Sequence, residues 1–414
     1  MAIDSQRSTA DLRLARDGGA PARTRPERPM FPGGMEVGDE ELRALERVIR
    51  SRNLFRYYGV GDGPAEVASF EAEFAAHMGA AHALAVNAGS SALICGLIGS
   101  GVGPGDEVIV PAYTWNATPN AVIASGAIPV LADVDDSLTI DPADVERKLS
   151  PRTKAVLPVY MRGAVGDLRA LTELARRHGL GLVEDACQAA GASFEGRPVG
   201  TFGDAGAFSL QFNKIITTGE GGVMITNRGD VYERAIEVHD CAGPVRQGGD
   251  PPRFPGWNFR ASELLGAVAR VQLTRLDGLL ERMRVNHARL AAAVAELPGL
   301  TLRRSNDTAG DAGMALIAFA ETPALAAEAV RALQAEGVPA LLIYDPGFVD
   351  LHVYPFWRPV LDRIAAAGLP APDCTRTLDL LGRAVHVDVP PQLDDEDLAE
   401  YEHALRKVAL GVLA

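Results

Sequence analysis

The stretch GLVEDACQAAGASFEGRPVGTFGDAGAFSLQFNKIITTGEGG, Gly181 to Gly222, decides how the rest of the chain is read. Its first apolar run, Gly181 to Val183, reads as a short buried strand and delivers two acids, Glu184 and Asp185, to its end. A second run, Ala205 to Leu210, ends just before a lone lysine, Lys214, and the glycine-rich turn Thr218-Gly219-Glu220-Gly221-Gly222 follows. Phe212, Ile215 and Ile216 flank that lysine, so its ammonium should be partly desolvated, which lowers a lysine's pKa toward the nucleophilic amine. A carboxylate at the end of an apolar strand is costly without a cationic partner. An acid and an amine at the ends of neighbouring strands are what pyridoxal 5'-phosphate (PLP) requires: the aldehyde needs an amine for its Schiff base, and the ring nitrogen needs an anion to keep its proton.

Working outward, Gly89-Ser90-Ser91 stands where a strand, Ala83 to Val86, turns into a helix, and offers the N–H groups and hydroxyls that a phosphate needs. The run Pro111-Ala112-Tyr113-Thr114-Trp115-Asn116-Ala117-Thr118 puts an indole at a helix start, and Trp257-Asn258-Phe259-Arg260 precedes a long helical region. In this order the pieces resemble the DegT/StrS-type sugar and cyclitol aminotransferases of PLP fold type I. The signature of that family is roughly E-D-A-A-Q, then F-S-F, then K-x-x-x-x-G-E-G-G. The matches are Glu184-Asp185-Ala186-Cys187-Gln188, Phe208-Ser209-Leu210, and Lys214 through Gly222. The glycine-serine turn matches G-T-x-A-L as Gly89-Ser90-Ser91-Ala92-Leu93, and the tryptophan stretch matches P-x-x-T-[FW]-x-A-T.

The resemblance implies roles for individual residues. Lys214 would anchor PLP and Asp185 would face its ring nitrogen; these are the catalytic pair. Gly89, Ser90, Ser91 and Ser209 would hold the phosphate, Trp115 would stack on the ring, and Gln188 would stand near the phenolic oxygen. Asn258 would reach the phosphate of a partner subunit in a homodimer with shared active sites, or would simply cap a helix. Arg260 and Tyr344 are the candidates for contacting substrate, although an arginine in a first helical turn is commonly just solvated. The chain departs from the pattern at Cys187, where alanine is usual, at Leu210, where phenylalanine is common, and at Met161-Arg162-Gly163, which replaces a polar-glycine turn.

The wider pattern agrees with an α/β fold. From Pro64 to the central stretch, short strands alternate with helices, which implies a mostly parallel sheet covered on both faces. Residues 1–36, rich in Pro, Gly and Arg, read as a frayed arm able to lie on a partner subunit. Residues 37–298 read as a large PLP-binding domain, opened by a helix with Asp39 as its cap and closed by a long helical region, about Ser262 to Leu297. A break at Pro298-Gly299 starts a small α+β domain, residues 299–414. The glycine loop Arg56 to Gly63 lacks the preceding strand that a dinucleotide site needs.

Composition narrows the function classes. The net charge of −14 argues against sequence-independent nucleic-acid binding. No apolar run approaches the ~20 residues of a membrane span. The N-terminal residues lack the h-region of a signal peptide, and four scattered cysteines argue against a metal site or disulfide framework and for the cytoplasm. The resemblance implies ping-pong transamination from an amino acid, glutamate or glutamine, to a keto-sugar or keto-cyclitol in sugar or secondary-metabolite (antibiotic) biosynthesis. Two alternatives stand beside it. The run His77 to Val86 is similar to the aromatising 3-amino-5-hydroxybenzoate synthases, which implies a PLP-dependent dehydration. A non-catalytic PLP-fold regulator would be expected to lack the lysine or to carry a basic appendage.

Overall fold

The computed structural model describes residues 12–60 and 65–413. The start of the arm, residues 61–63 of the glycine loop, and Pro64, expected to open a helix, lie outside the described residues.

The large sheet has seven strands: β1 (His82–Val86), β2 (Glu107–Pro111), β3 (Ile128–Ala132), β4 (Thr153–Val156), β5 (Gly181–Asp185), β8 (Ala205–Ser209) and β9 (Gly222–Thr226), in the order β1-β9-β8-β5-β4-β2-β3. Between β5 and β8 lies a small hairpin, β6 (Ser193–Phe194) and β7 (Arg197–Pro198). Neighbours from β8 to β3 pair in parallel, and only β9 runs against both of its neighbours. Helices α2 (Glu66–Met78), α3 (Gly89–Gly99), α4 (Ala117–Ala124), α5 (Pro142–Arg147), α6 (Leu168–His178) and α7 (Gly229–His239) surround it. The continuous apolar runs follow from this cover: every residue of β2, β8 and β9 is buried.

Before the sheet comes α1 (Asp39–Ser51). Its N-cap is Gly38, not Asp39, and Glu41 reaches back to accept from the Gly38 N–H at 2.8 Å. Asp39 instead lies in the first turn, where its charge complements the helix dipole. After α8 (Gly243–Arg246), the expected long helical region is made of two helices, α9 (Glu263–Leu273) and α10 (Leu276–Ala295). The break has a local cause. The Thr274 hydroxyl bonds the Val271 carbonyl at 2.7 Å, and the amides of Thr274 and Arg275 bond three residues back, tightening the turn.

A second sheet of four antiparallel strands is ordered β10-β11-β13-β12, from β10 (Thr301–Leu302), β11 (Ala315–Phe319), β12 (Ala340–Leu342) and β13 (Ala384–Asp388). It packs with α11 (Pro323–Ala335) and α14 (Asp395–Val408), while α12 (Arg358–Ala366) and α13 (Thr375–Arg383) occupy a segment in which the sequence suggested no element. Residue 298 falls between the end of α10 and β10, and α10 packs in both cores: Leu279 and Met283 join the core under the large sheet, Leu290 and Val294 the core of the small one.

The described part of the arm, from residue 12 on, is tied down on its own chain rather than frayed. Arg23 is buried and pairs with Asp397 at 2.6 Å and Glu400 at 2.5 Å, and Arg25 meets Asp394 at 2.6 Å. Glu336 accepts from the Ala15 and Ala22 N–H groups and pairs with Lys407 at 2.5 Å. The acidic first turn of α14 and the buried Glu336 present carboxylates that the arm's cations and amides satisfy. Among the described residues, no helix is long and apolar enough to cross a membrane.

Candidate active site

Strand periodicity separates the two acids of β5, because successive side chains leave a strand on opposite faces. Glu184 points into the protein and accepts from the Tyr160 hydroxyl (2.7 Å) and from the N–H groups of Gly200 (2.7 Å), Phe202 (2.7 Å) and Gly203 (2.9 Å). It anchors the loop after β7. Burial raises its pKa while those hydrogen bonds oppose the rise. Asp185 faces a cavity of about 420 Å³ at the C-terminal ends of the strands, where open α/β sheets bind ligands.

Asp185 is itself 4% exposed. One oxygen accepts from the Thr118 hydroxyl at 2.7 Å, which in turn lies 2.7 Å from the Thr114 hydroxyl; the other accepts from the Cys187 N–H at 3.1 Å. Among the described residues no cation lies within ion-pair distance of it. A buried carboxylate held by neutral donors and aimed into a cavity fits the protonated ring nitrogen of PLP.

Lys214 borders the same cavity, on the turn between β8 and β9. Burial lowers the pKa of its ammonium, Asp185 and Glu220 pull it back up, and Arg162 lowers it further. The start of α3 also borders the cavity. No side chain caps α3, whose N-cap is Ala88, so its first amides are open to an anion. Gly89 is needed there: a Cβ would stand 2.8 Å from the Ser209 Cβ. Gly222 is needed behind it, since its Cβ would come within 2.5 Å of the Ala88 carbonyl.

Of the residues expected at the site, Gly89, Ser90, Trp115, Asp185, Gln188, Ser209 and Lys214 all line this cavity. Trp115 is half-exposed and tilted against the His352 ring at 4.9 Å. Gln188 spends its oxygen on the Arg162 N–H at 2.9 Å, which leaves its NH₂ end for a ligand. Four residues are placed elsewhere. The Ser91 hydroxyl turns back to Asn87 at 2.6 Å. Asn258 is exposed beside Asn87. Arg260 is drawn away by Asp240, at 2.8 Å, and lies over the Phe55 ring. Tyr344 packs toward Phe356.

Other residues at the site were missed. Thr114 and Thr118 lie four residues apart within the quoted tryptophan stretch, Thr114 ahead of α4 and Thr118 in its first turn, and that spacing was the available signal. His352 had none, because it comes from a segment far along the chain. A second cavity, of about 620 Å³, adjoins the first and shares Lys214, Gln188 and His352 with it. Its remaining wall comes from the arm, with Glu27 and Phe31, from Arg162, and from Asp388 at the end of β13.

A family model described as the DegT/DnrJ/EryC1/StrS aminotransferase family matches residues 36–406. A putative L-glutamine:3-amino-2,3-dideoxy-scyllo-inosose aminotransferase of Streptomyces kanamyceticus is 38% identical over 292 residues, covering 70% of this chain and 68% of that protein. Among solved structures, 3-amino-5-hydroxybenzoic acid synthase superposes with a TM-score of 0.79 at 30% identity, covering 95% of this chain and 99% of the other. DesI, solved in the presence of its TDP-sugar product, gives 0.77 at 28% identity and 95% of both chains.

Proposed function

The chain belongs to the DegT/DnrJ/EryC1/StrS aminotransferase family and is a PLP-dependent aminotransferase, and from that premise we propose that it carries an amino group from glutamine or glutamate to the ketone of a cyclitol or sugar. The S. kanamyceticus relative named for a glutamine donor and an inosose acceptor supports the cyclitol, and the TDP-sugar bound to DesI supports the sugar. The observation that carries the reading is that a buried, unpaired carboxylate and a desolvated lysine border one cavity beside an uncapped helix start.

When bound, PLP supplies an aldehyde that captures an amine and a ring that takes up electron density from the adjoining carbon. Lys214 would hold it, Asp185 would face its ring nitrogen, Trp115 its plane, and the α3 amides with Ser90 and Ser209 its phosphate. With its pKa lowered by burial, the Lys214 Nζ is suited to take a proton from the donor's α-carbon and return it elsewhere. The Asp185 carboxylate, fixed by Thr118 and the Cys187 amide, gives that proton transfer an oriented negative charge at the far end of the cavity. Asn258, exposed and away from this chain's cavity, is assigned to the phosphate site of a second copy in a homodimer.

Two experiments test this. Amino donors added to the PLP-loaded protein should bleach its visible band, and a panel of keto-cyclitols and keto-sugars should restore it; if no amino acid bleaches the band, the donor half of the proposal is wrong. In Lys214→Ala, borohydride should fix no cofactor to the protein, and an adduct at the same site would place the anchor elsewhere. The similarity to 3-amino-5-hydroxybenzoic acid synthase favours a second reading, an aromatising dehydration. Product mass separates the two, since that reaction loses water, whereas transamination exchanges the ketone oxygen of the acceptor for an amine and retains every hydroxyl.

A further inference from the structure

We propose that Arg162 binds the α-carboxylate of the amino-acid donor, in the cavity between Lys214 and the N-terminal arm. The proposal rests on the aminotransferase reading and deepens it by assigning the donor's subsite.

Arg162 holds a left-handed backbone conformation, φ 55° and ψ 30°, which is strained for a non-glycine residue. The conformation is fixed from both sides: the Arg162 N–H donates to Gln188 at 2.9 Å, and the following Gly163, itself at φ 72°, bonds the Tyr160 carbonyl. The side chain is thereby set in the wall of the larger cavity, which Lys214 also borders.

Its charge lies near Tyr113, Asp350 and Asp388 but makes no ion pair with a described residue. Among the described residues no carboxylate lies within 4.0 Å of the guanidinium, and its buried Nε has no hydrogen-bond partner. The neighbours that could have answered it are otherwise engaged. Tyr113 offers a neutral hydroxyl. Asp350 is paired with His352 at 2.6 Å. Asp388 lies 3.3 Å from His386, and burial pushes its carboxyl above the usual range. A partly buried, planar, unpaired cation is the group that recognises a carboxylate through two parallel hydrogen bonds. In an α-amino acid the carboxylate and the amine share one carbon, so a carboxylate seated on Arg162 keeps its amine in the cavity of Lys214. An amine without a carboxylate has no such hold.

The test uses the PLP-loaded full chain and two fragments of glutamine: glutaramate, which lacks the α-amine, and 4-aminobutanamide, which lacks the α-carboxylate. Asparagine tolerates the left-handed conformation, so Arg162→Asn is the first variant, and Arg162→Lys, which keeps the charge, is the second. Calorimetry should show glutaramate binding weakened by about tenfold or more in Arg162→Asn, with part of the loss restored in Arg162→Lys. The band-bleaching preference of the unmodified protein for glutamine over 4-aminobutanamide, about a hundredfold or more, should collapse in Arg162→Asn. Unchanged glutaramate binding and an unchanged preference would overturn the assignment while leaving the aminotransferase reading intact. If the unmodified protein is bleached by no amino acid, the donor reading falls, and the subsite falls with it.

Discussion

At the scale of single residues, the site depends on how Asp185 is held. Thr118→Val removes the hydroxyl at 2.7 Å while keeping the shape, and a hydrogen bond to a charged group contributes about 1.5–3 kcal/mol. The transamination kcat/KM should fall roughly tenfold or more by that reckoning, and Thr118→Ser should retain most of it. Steady-state kinetics on the three proteins checks this; equal rates would mean that Asp185 needs no second donor. A pH effect belongs to His239, which is fully buried, with its ring between the Ile236 carbonyl and the Tyr57 hydroxyl. Burial lowers its pKa from 6.5 to about 4, with the Arg56 charge adding to the effect. The folded pKa lies below the unfolded one, so the unfolded chain binds the proton first as pH falls, and stability drops between pH 6.5 and 4. Urea unfolding at pH 5 should show a loss of about 2 kcal/mol relative to pH 7 from this group, absent in His239→Gln.

At the scale of elements, the close approach of α3 to β9 shapes the helix start that we propose as the phosphate site. The Cβ of Gly222→Ala would press on the Ala88 carbonyl and come 2.7 Å from the Gly89 nitrogen. The start of α3 must then move, and PLP affinity, read by titrating the apoprotein, should fall about tenfold or more while the fold persists. The arm provides a second case. Lys407→Met would strip the buried Glu336 of its only cation among the described residues, and breaking a buried pair in this way costs about 3–5 kcal/mol. Glu336 also holds the Ala15 and Ala22 amides. Protease nicking of the arm should therefore rise together with the fall in the urea midpoint.

At the scale of the whole molecule, we propose a division near residue 298 into a PLP-binding part and a smaller part, with α10 and the arm fastening the two. The larger cavity draws its walls from both parts and from the arm, so it exists only in the assembled chain. Leu42, Ile49, Tyr58 and Trp257 are large apolar side chains left exposed, which supports association with a second copy. If Asn258 completes a partner's site, Lys214→Ala and Asn258→Ala, each weak alone, should regain about a quarter of full activity when mixed, because half the subunit pairs then hold one intact site. No recovery on mixing would place each site within one chain.

What could be read from the sequence was whatever lies close together along it. The strand carrying Glu184 and Asp185, the lysine turn and the Gly89 helix start each declare themselves within a few residues, and the alternation of strands with helices implies a parallel sheet with its strand ends on one side. The periodicity of β5 even separates the two acids, once the face of the cavity is known. What lies far apart in the chain could not be read this way. His352 and Asp388 reach the site from the small part, the arm folds back through charges more than 300 positions away, and Arg260 is claimed by Asp240 rather than by a ligand. In each case a side chain's partner is chosen by burial and charge compensation after the chain has closed on itself, and a local pattern carries no record of that choice.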